Sequence, residues 1–427
     1  MLSKTLFAAL FVFVFLPRFA DAAAPQIGPI NDAGQLNGAN YRIVVPEVWN
    51  GTLLVYGHGY RDRADHPGEI DNRNADIAPN AAVADALLAQ GYALAGSSFK
   101  NNGWAVEEGI EDLRDLTEFF RDRYATPDRT ILWAFSMGSV IGLRSVELYS
   151  GLYDGALAGC AVGAGASQSW DASGDLTLAY DTVFGMPAAW GSFGDVRNDI
   201  DFETEVQPKL LGEVSSAANF PRFEFMRLVT GTPGRGIMPP PPPQFYPGWV
   251  FTDMFFATEA RSELERRAGG SIVQNLNRNY NLTAAERAYL QGLGVPPAVI
   301  DGWLQAMNGR RSVSAPPSAR DYLRRNADYT GRLKAPVLTL HTIVDPLVTV
   351  SQETEYADTV QRAGYGNLLF QTYTTGNGHC NFTGPQILTA VNAIDFWVRF
   401  GIKPTAETFP TSLGFAPYFL PPYMNQP

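Results

Sequence analysis

Cysteine, histidine and charge are all scarce in this 427-residue chain, which has two cysteines, four histidines and 18% charged residues. Two cysteines exclude a small domain stapled by several bridges and leave either one disulfide or two separate buried thiols. The histidines, His58, His66, His341 and His379, are scattered, and the acidic residues follow no ligand spacing. No metal site and no cofactor are therefore expected. Basic residues are outnumbered, 32 against 43, for a net charge of −11. A nucleic acid or an anionic membrane would be repelled by that balance, so neither is an expected partner. Beyond the N-terminus no run is apolar and long enough to cross a bilayer.

The start of the chain differs from the rest. Lys4 precedes an apolar run from Leu6 to Leu16, followed by Pro17 and Ala20-Asp21-Ala22-Ala23. A basic start, a short hydrophobic core and a small-x-small site describe a secretory signal peptide, here residues 1–22, too short to serve as an anchor. The mature protein is expected to be secreted or periplasmic.

The remaining sequence alternates strand-like and helix-like stretches. Thr52 to Tyr56 reads as a buried strand ending in Gly57-His58-Gly59-Tyr60, and Tyr41 to Val45 as a shorter one before it. A helix over Ala81 to Gln90 stops at Gly91, Tyr92 to Gly96 is a strand, and Ile110, Leu113, Leu116, Phe120 and Tyr124 make one stripe of a long helix. Thr130 to Trp133 is a buried strand running without a loop into Ala134-Phe135-Ser136-Met137-Gly138 and then into a helical pattern. Asp154 to Cys160 follows as another strand. Alternation of this kind implies a mainly parallel sheet covered on both faces.

After Gly165 the alternation breaks down. Residues 166–330 are rich in aromatics, carry a run of five prolines from Pro239 to Pro243, and turn helical towards their end, with Thr283 and Glu286 spaced as a capping box. Most of these aromatics must be core. A helical, aromatic insertion between two sheet strands is also where a cap over a site would lie, and Trp170, Phe184 and Trp190, with His58, are candidate pocket residues. The α/β pattern then returns: a strand from Pro336 to Thr342 leads to Asp345, a helix covers Gln352 to Arg362, and a strand from Asn367 to Thr374 leads through a glycine-rich loop to His379 and Cys380. A last helix spans Pro385 to Phe400, and the tail is expected to wrap the surface.

Three of these strand ends carry a chemistry. A strand turning sharply into a helix around a serine needs small residues two positions away on either side, and presents that serine at a helix N-terminus whose free N–H groups can hold an oxyanion. A hydroxyl at neutral pH needs an adjacent base, and the base an orienting carboxylate. Ser136, Asp345 and His379 each follow a separate strand, at the sheet edge where open α/β sheets bind ligands. His66 and His341 read as structural, and His58 as a ring bonded beneath its loop.

On the residues Gly57-His58-Gly59-Tyr60, Ser136-Met137-Gly138, Asp345 and His379, the chain resembles a secreted member of the α/β-hydrolase superfamily over about 40–165 and 330–400. The resemblance implies an eight-stranded, mostly parallel sheet with helices on both faces, formed by 23–165 and 331–427, and a mainly helical cap of 166–330 inserted after strand 6. It implies a triad of Ser136, Asp345 and His379, and an oxyanion hole from the N–H groups of Met137 and Tyr60, with Gly59 as the alternative donor. Ala134 stands where such enzymes usually have glycine. Cys380 beside the histidine resembles the tannase and feruloyl-esterase branch, although Phe135, not cysteine, precedes the serine; by that likeness Cys160 and Cys380 would form a disulfide tethering the His379 loop. The expected activity is hydrolysis of a carboxylic ester, small or polymeric, through an acyl-enzyme on Ser136. A serine peptidase of the same fold is the alternative, for which Asp171, Asp175, Asp181 and Asp195 could hold a free ammonium. A non-catalytic binding protein would have no physical need for all three triad residues. Asn281 and Asn381 head glycosylation sequons, which matter only in a glycosylating host.

Overall fold

The computed structural model describes residues 26–63, 71–232 and 246–424. The expected signal peptide, His66 and the Pro239 to Pro243 run lie outside them. Eight strands form one sheet: β1 (Ile30–Leu36), β2 (Ala39–Val45), β3 (Thr52–Gly57), β4 (Ala93–Ser97), β5 (Arg129–Phe135), β6 (Gly155–Gly159), β7 (Val337–Val344) and β8 (Leu369–Asn377). Their spatial order is β1-β2-β4-β3-β5-β6-β7-β8. β2 pairs antiparallel with β1 and β4, and every other pairing is parallel. This is the α/β-hydrolase sheet.

The apolar runs of the inner strands have a direct physical reason. Successive residues of a strand point to opposite faces, and both faces of this sheet are covered, so neither set can be polar. In β3, Leu53 and Val55 pack with Leu113, Leu116 and Phe120 of α2 (Val106–Arg123) and Val140 and Leu143 of α3 (Met137–Leu148). Leu54 and Tyr56 face the other way, towards Leu87 of α1 (Ala81–Ala89) and Ile387, Ile394 and Trp397 of the last helix, Gly384–Phe400. The tail does wrap back: Phe409 and Phe415 are fully buried in this second core, and Phe415 bridges to Thr374 of β8.

One strand escapes the hydrophobic pattern. β1, Ile-Asn-Asp-Ala-Gly-Gln-Leu, is polar because it is an exposed edge paired on one side alone. Its signal is local: Asn37-Gly38 forms the β1–β2 turn with φ of 50° and 94°, as an Asn-Gly hairpin requires.

Among the described residues between β6 and β7 lie α4 (Gly165–Phe184), six further α-helices running in order from Gln207–Val214 to Pro297–Gly309, a hairpin of two-residue strands at Gly191–Ser192 and Asp195–Val196, and the helix Pro317–Ala327. Much of this segment has its own core, built on Leu178, Tyr180, Val206, Phe225 and Met254. Its two ends do not. Ala166 and Trp170 at the start of α4, and Ala319, Leu323 and Ala327, pack into the core of the sheet's α2–α3 face. The Thr283–Glu286 capping box forms with both of its bonds.

Candidate active site

The turn at Ser136 is strained, with φ of 56° and ψ of −127°, and its N–H donates to the Gly159 carbonyl of β6 at 3.1 Å. The strain is held by close backbone approach on both sides. A Cβ on Gly138 would lie 2.7 Å from the His58 carbonyl oxygen and closer still to that of Gly57, so only glycine fits. Ala134 is accommodated because its neighbour gives way. A Cβ on Gly57 would stand 3.0 Å from the Ala134 methyl, tighter than ordinary contact, so the space that glycine usually frees at 134 is freed at 57 instead.

β7 and β8 bring the other two residues to the same edge. His379 Nδ1 lies 2.8 Å from Asp345 Oδ2, and its Nε2 lies 2.8 Å from Ser136 Oγ. With the proton on Nδ1, the ring donates to the carboxylate and accepts from the serine hydroxyl. Asp345 is fully buried and takes the N–H groups of Leu347 and Val348 on Oδ1 at 3.0 and 2.9 Å. Burial alone would raise its pKa, but the charge of His379 and the bonds from His341 and His379 outweigh burial and hold the carboxyl well below its usual range.

His341 is not an incidental core ring. It is fully buried, with Nδ1 3.0 Å from Glu353 Oε1, Nε2 2.8 Å from the Val348 carbonyl, and the same Nε2 3.6 Å from Asp345 Oδ2. Glu353 also accepts from Thr339 Oγ1 and Gln371 Nε2. The acid behind His379 is thus backed by a second histidine and a second carboxylate.

Cys160 and Cys380 are joined by a disulfide, with their Cα atoms 5.1 Å apart and both residues at positive φ, 44° and 51°. The bridge ties the end of β6 to the residue following His379. Among the described residues the grouping able to offer metal-ligating atoms is Cys160, His379 and Cys380, and its two sulfurs are bonded to each other.

The loop after β3 lies against the serine: a Cβ on Gly59 would sit 3.2 Å from Ser136 Cβ. Neither the Tyr60 nor the Met137 N–H meets a protein acceptor among the described hydrogen bonds, as expected for a loop end and a first helical residue. His58 lies beneath this loop, its Nδ1 2.7 Å from the Gly59 carbonyl and its ring stacked on Phe99 at 4.0 Å. Burial, then the charge of Arg61, pushes its pKa down to about 3, so it stays neutral.

Ser136 opens onto a cavity of about 100 Å³ lined by Met137, Tyr60, Trp104, Trp170 and Phe256 among others. Of the pocket residues expected from sequence, Trp170 is here, edge-on to Trp104 at 5.2 Å. The other three are corrected. His58 is covered by its own loop. Phe184 packs on Tyr180 and Phe223, and Trp190 stacks on Tyr180, all within the separate core of the inserted segment. Trp104 and Phe256 were not anticipated. The acids weighed as ammonium ligands are engaged elsewhere: Asp171 with Arg320, Asp175 with Arg278 and Tyr280, and Asp181 with Arg310, while Asp195 is exposed in the small hairpin. The acid that lines the cavity is Asp253, 4% exposed. Its one sequence signal is a lone carboxylate inside the apolar helix Tyr246–Phe255.

No family model matches the chain. An o-phthalyl amidase of Xanthobacter agilis is 23% identical over 428 residues, spanning 90% of each protein. Among solved structures, an esterase of Pyrococcus furiosus aligns at a TM-score of 0.41 and 12% identity over 90% of this chain and 96% of its own. Feruloyl esterase B of Aspergillus oryzae aligns at 0.40 and 16% identity over 87% and 80%. Likeness at that level says nothing of substrate. The sheet order, the strained serine turn after β5, and the residues that follow β7 and β8 give the chain the α/β-hydrolase fold.

Proposed function

We propose that the protein is a secreted serine hydrolase that cleaves a carboxylic ester through an acyl-enzyme on Ser136. The observation that carries this reading is the His379 ring, which spans Ser136 Oγ and Asp345 Oδ2 with 2.8 Å on each side. His379 Nε2 takes the hydroxyl proton as Oγ attacks the substrate carbonyl. The oxyanion is held by the N–H groups of Met137 and Tyr60. Collapse of the tetrahedral adduct breaks the bond to the leaving alcohol, which takes the proton from Nε2. Water, deprotonated by the same nitrogen, then attacks the acyl-enzyme, releases the acid and restores the serine. Asp345 holds the ring in the required tautomer and stabilises its protonated form.

The same machinery cleaves amides when the leaving amine is protonated, and the name of the Xanthobacter relative makes an amide of an aromatic acid the second reading. The aminopeptidase reading loses support from the pairing of Asp171, Asp175 and Asp181. Residues 1–22 act as the export signal, 23–165 and 331–427 as the catalytic core, and 166–330 as the cap. Export is supported by the disulfide, and among the described residues no helix is long and apolar enough to cross a membrane.

The test compares the protein with Ser136→Ala on nitrophenyl esters of increasing acyl length and on acyl and aminoacyl anilides. Turnover that vanishes in the variant is expected. Equal, negligible rates from both proteins on every substrate would overturn the reading.

A further inference from the structure

Asp253 is out of place by ordinary packing rules. A buried carboxyl normally collects hydrogen bonds or a cation, because leaving it without either costs several kcal/mol. The Trp249 indole is the one side chain that acts on Asp253 as a hydrogen-bond donor, and among the described residues its carboxyl oxygens have no other hydrogen-bond partner. No lysine, arginine or histidine is among the described residues lining the cavity it faces. Burial, with the charge of Asp345 added, raises its pKa well above the carboxylate range. The shift favours the protonated carboxyl, which can donate one O–H. Three more polar atoms in residues of the same wall, the Tyr60 hydroxyl, the Trp170 indole N–H and the Ser173 hydroxyl, are also buried without a partner. All of them can donate.

The remaining wall mixes aliphatic and hydroxyl side chains with aromatic ones. A cavity of about 100 Å³ is of the order that takes up a single ring, and Trp104, Trp170 and Phe256 offer faces and edges to stack against it. We propose that Asp253 is a substrate-binding residue, donating its carboxyl O–H to an oxygen acceptor carried on a single-ring acyl group seated between these aromatics. The acceptor is a carboxylate or a carbonyl on the ring. This inference rests on the hydrolase reading and narrows its substrate to substituted aromatic acyl compounds. A site built around a buried donor rejects an analogue that leaves the donor unpaired, far more strongly than an apolar pocket rejects a missing methyl.

The test uses 4-nitrophenyl benzoates bearing a carboxylate, a carboxamide, a methyl or a trimethylammonio group at the meta position, with an ortho series beside it. Each kcat/KM is divided by the ester's own hydroxide rate to remove substituent electronics. The carboxylate or carboxamide ester is expected to exceed the methyl ester by about ten-fold or more in at least one series. That ratio is expected to collapse in Asp253→Leu. Equal handling of acceptor and methyl esters, a ratio that survives in Asp253→Leu, or preference for the trimethylammonio ester would overturn the proposal, the last because it requires an ionised Asp253. If Asp253→Leu does not fold, the substrate series on the unmodified protein still decides. Benzamide binding to Ser136→Ala, followed by tryptophan fluorescence, reads the subsite without turnover. Saturable binding with no turnover of any ester by the unmodified protein would retain this subsite and remove the hydrolase reading. Turnover of all esters alike would do the reverse.

Discussion

Alkaline pH is expected to weaken this fold through one ring, His341. In an unfolded chain its imidazole loses its proton near 6.5. In the native protein burial pulls the pKa down, yet the bonds and charges of Asp345 and Glu353 outweigh burial and hold it up to about 10. Between those two values the native state keeps a proton that the unfolded state has shed. Stability therefore falls as pH rises across the window, by 1.36 kcal/mol per unit for a single site. The contribution is complete below 6.5, is gone above about 10, and amounts to at most ~5 kcal/mol. Asp345, which faces the ring, does not mimic the effect. Asp345 is held ionised throughout by its partners, and its own contribution is lost in acid, as pH falls through its depressed pKa. Urea unfolding at half-unit steps from pH 6 to 10, on the protein and on His341→Gln, measures the slope directly. Subtracting the two curves removes what the tyrosines and other groups add. Parallel curves, or a difference that grows with pH, would refute a protonated His341 between the two acids.

Two other perturbations test the local geometry. Gly138→Ala forces a methyl against the His58 and Gly57 carbonyls; it is expected to cost about 1–3 kcal/mol of stability and, by shifting the oxyanion donors, about a hundred-fold in kcat, and near-normal kinetics would show that the loop is not pinned there. Replacing both Cys160 and Cys380 with serine opens a bridge spanning 220 residues of sequence. A loss of about 2–5 kcal/mol is expected, with a fall in kcat larger than that in kcat-independent substrate binding because His379 loses its tether; an unchanged melting temperature and rate would leave the bridge no role.

The sheet was legible wherever burial on both faces removed polar residues: β3, β5 and β6 are continuous apolar runs. β1 was not, since an edge strand has little to bury, although the Asn37-Gly38 turn announced it. Ser136, Asp345 and His379 could be chosen because strand ends converge in a parallel sheet whatever the side chains between them do. The cavity wall could not be chosen in that way. Trp170 and Phe184 both lie on α4, but about four turns separate them, roughly 20 Å along the axis. One reaches the serine and the other the distant core. Which aromatic faces a cavity depends on helix placement in the inserted segment, and hydrophobicity is blind to that. Asp253 was hidden for the opposite reason: one carboxylate in an apolar helix has no periodicity to betray it.

The arrangement around Ala134 bears on how such chains are found. The steric demand at the serine turn is for a fixed total volume, shared between position 134 and Gly57 on the neighbouring strand. A pattern search that insists on glycine two places before the serine tests one of those two sites and passes over this protein. Written as a joint constraint, the same physics admits alanine at 134 provided 57 stays bare. Relatives in which residue 57 gains a methyl should then have lost the one at 134, so the two positions would drift together rather than each being conserved alone.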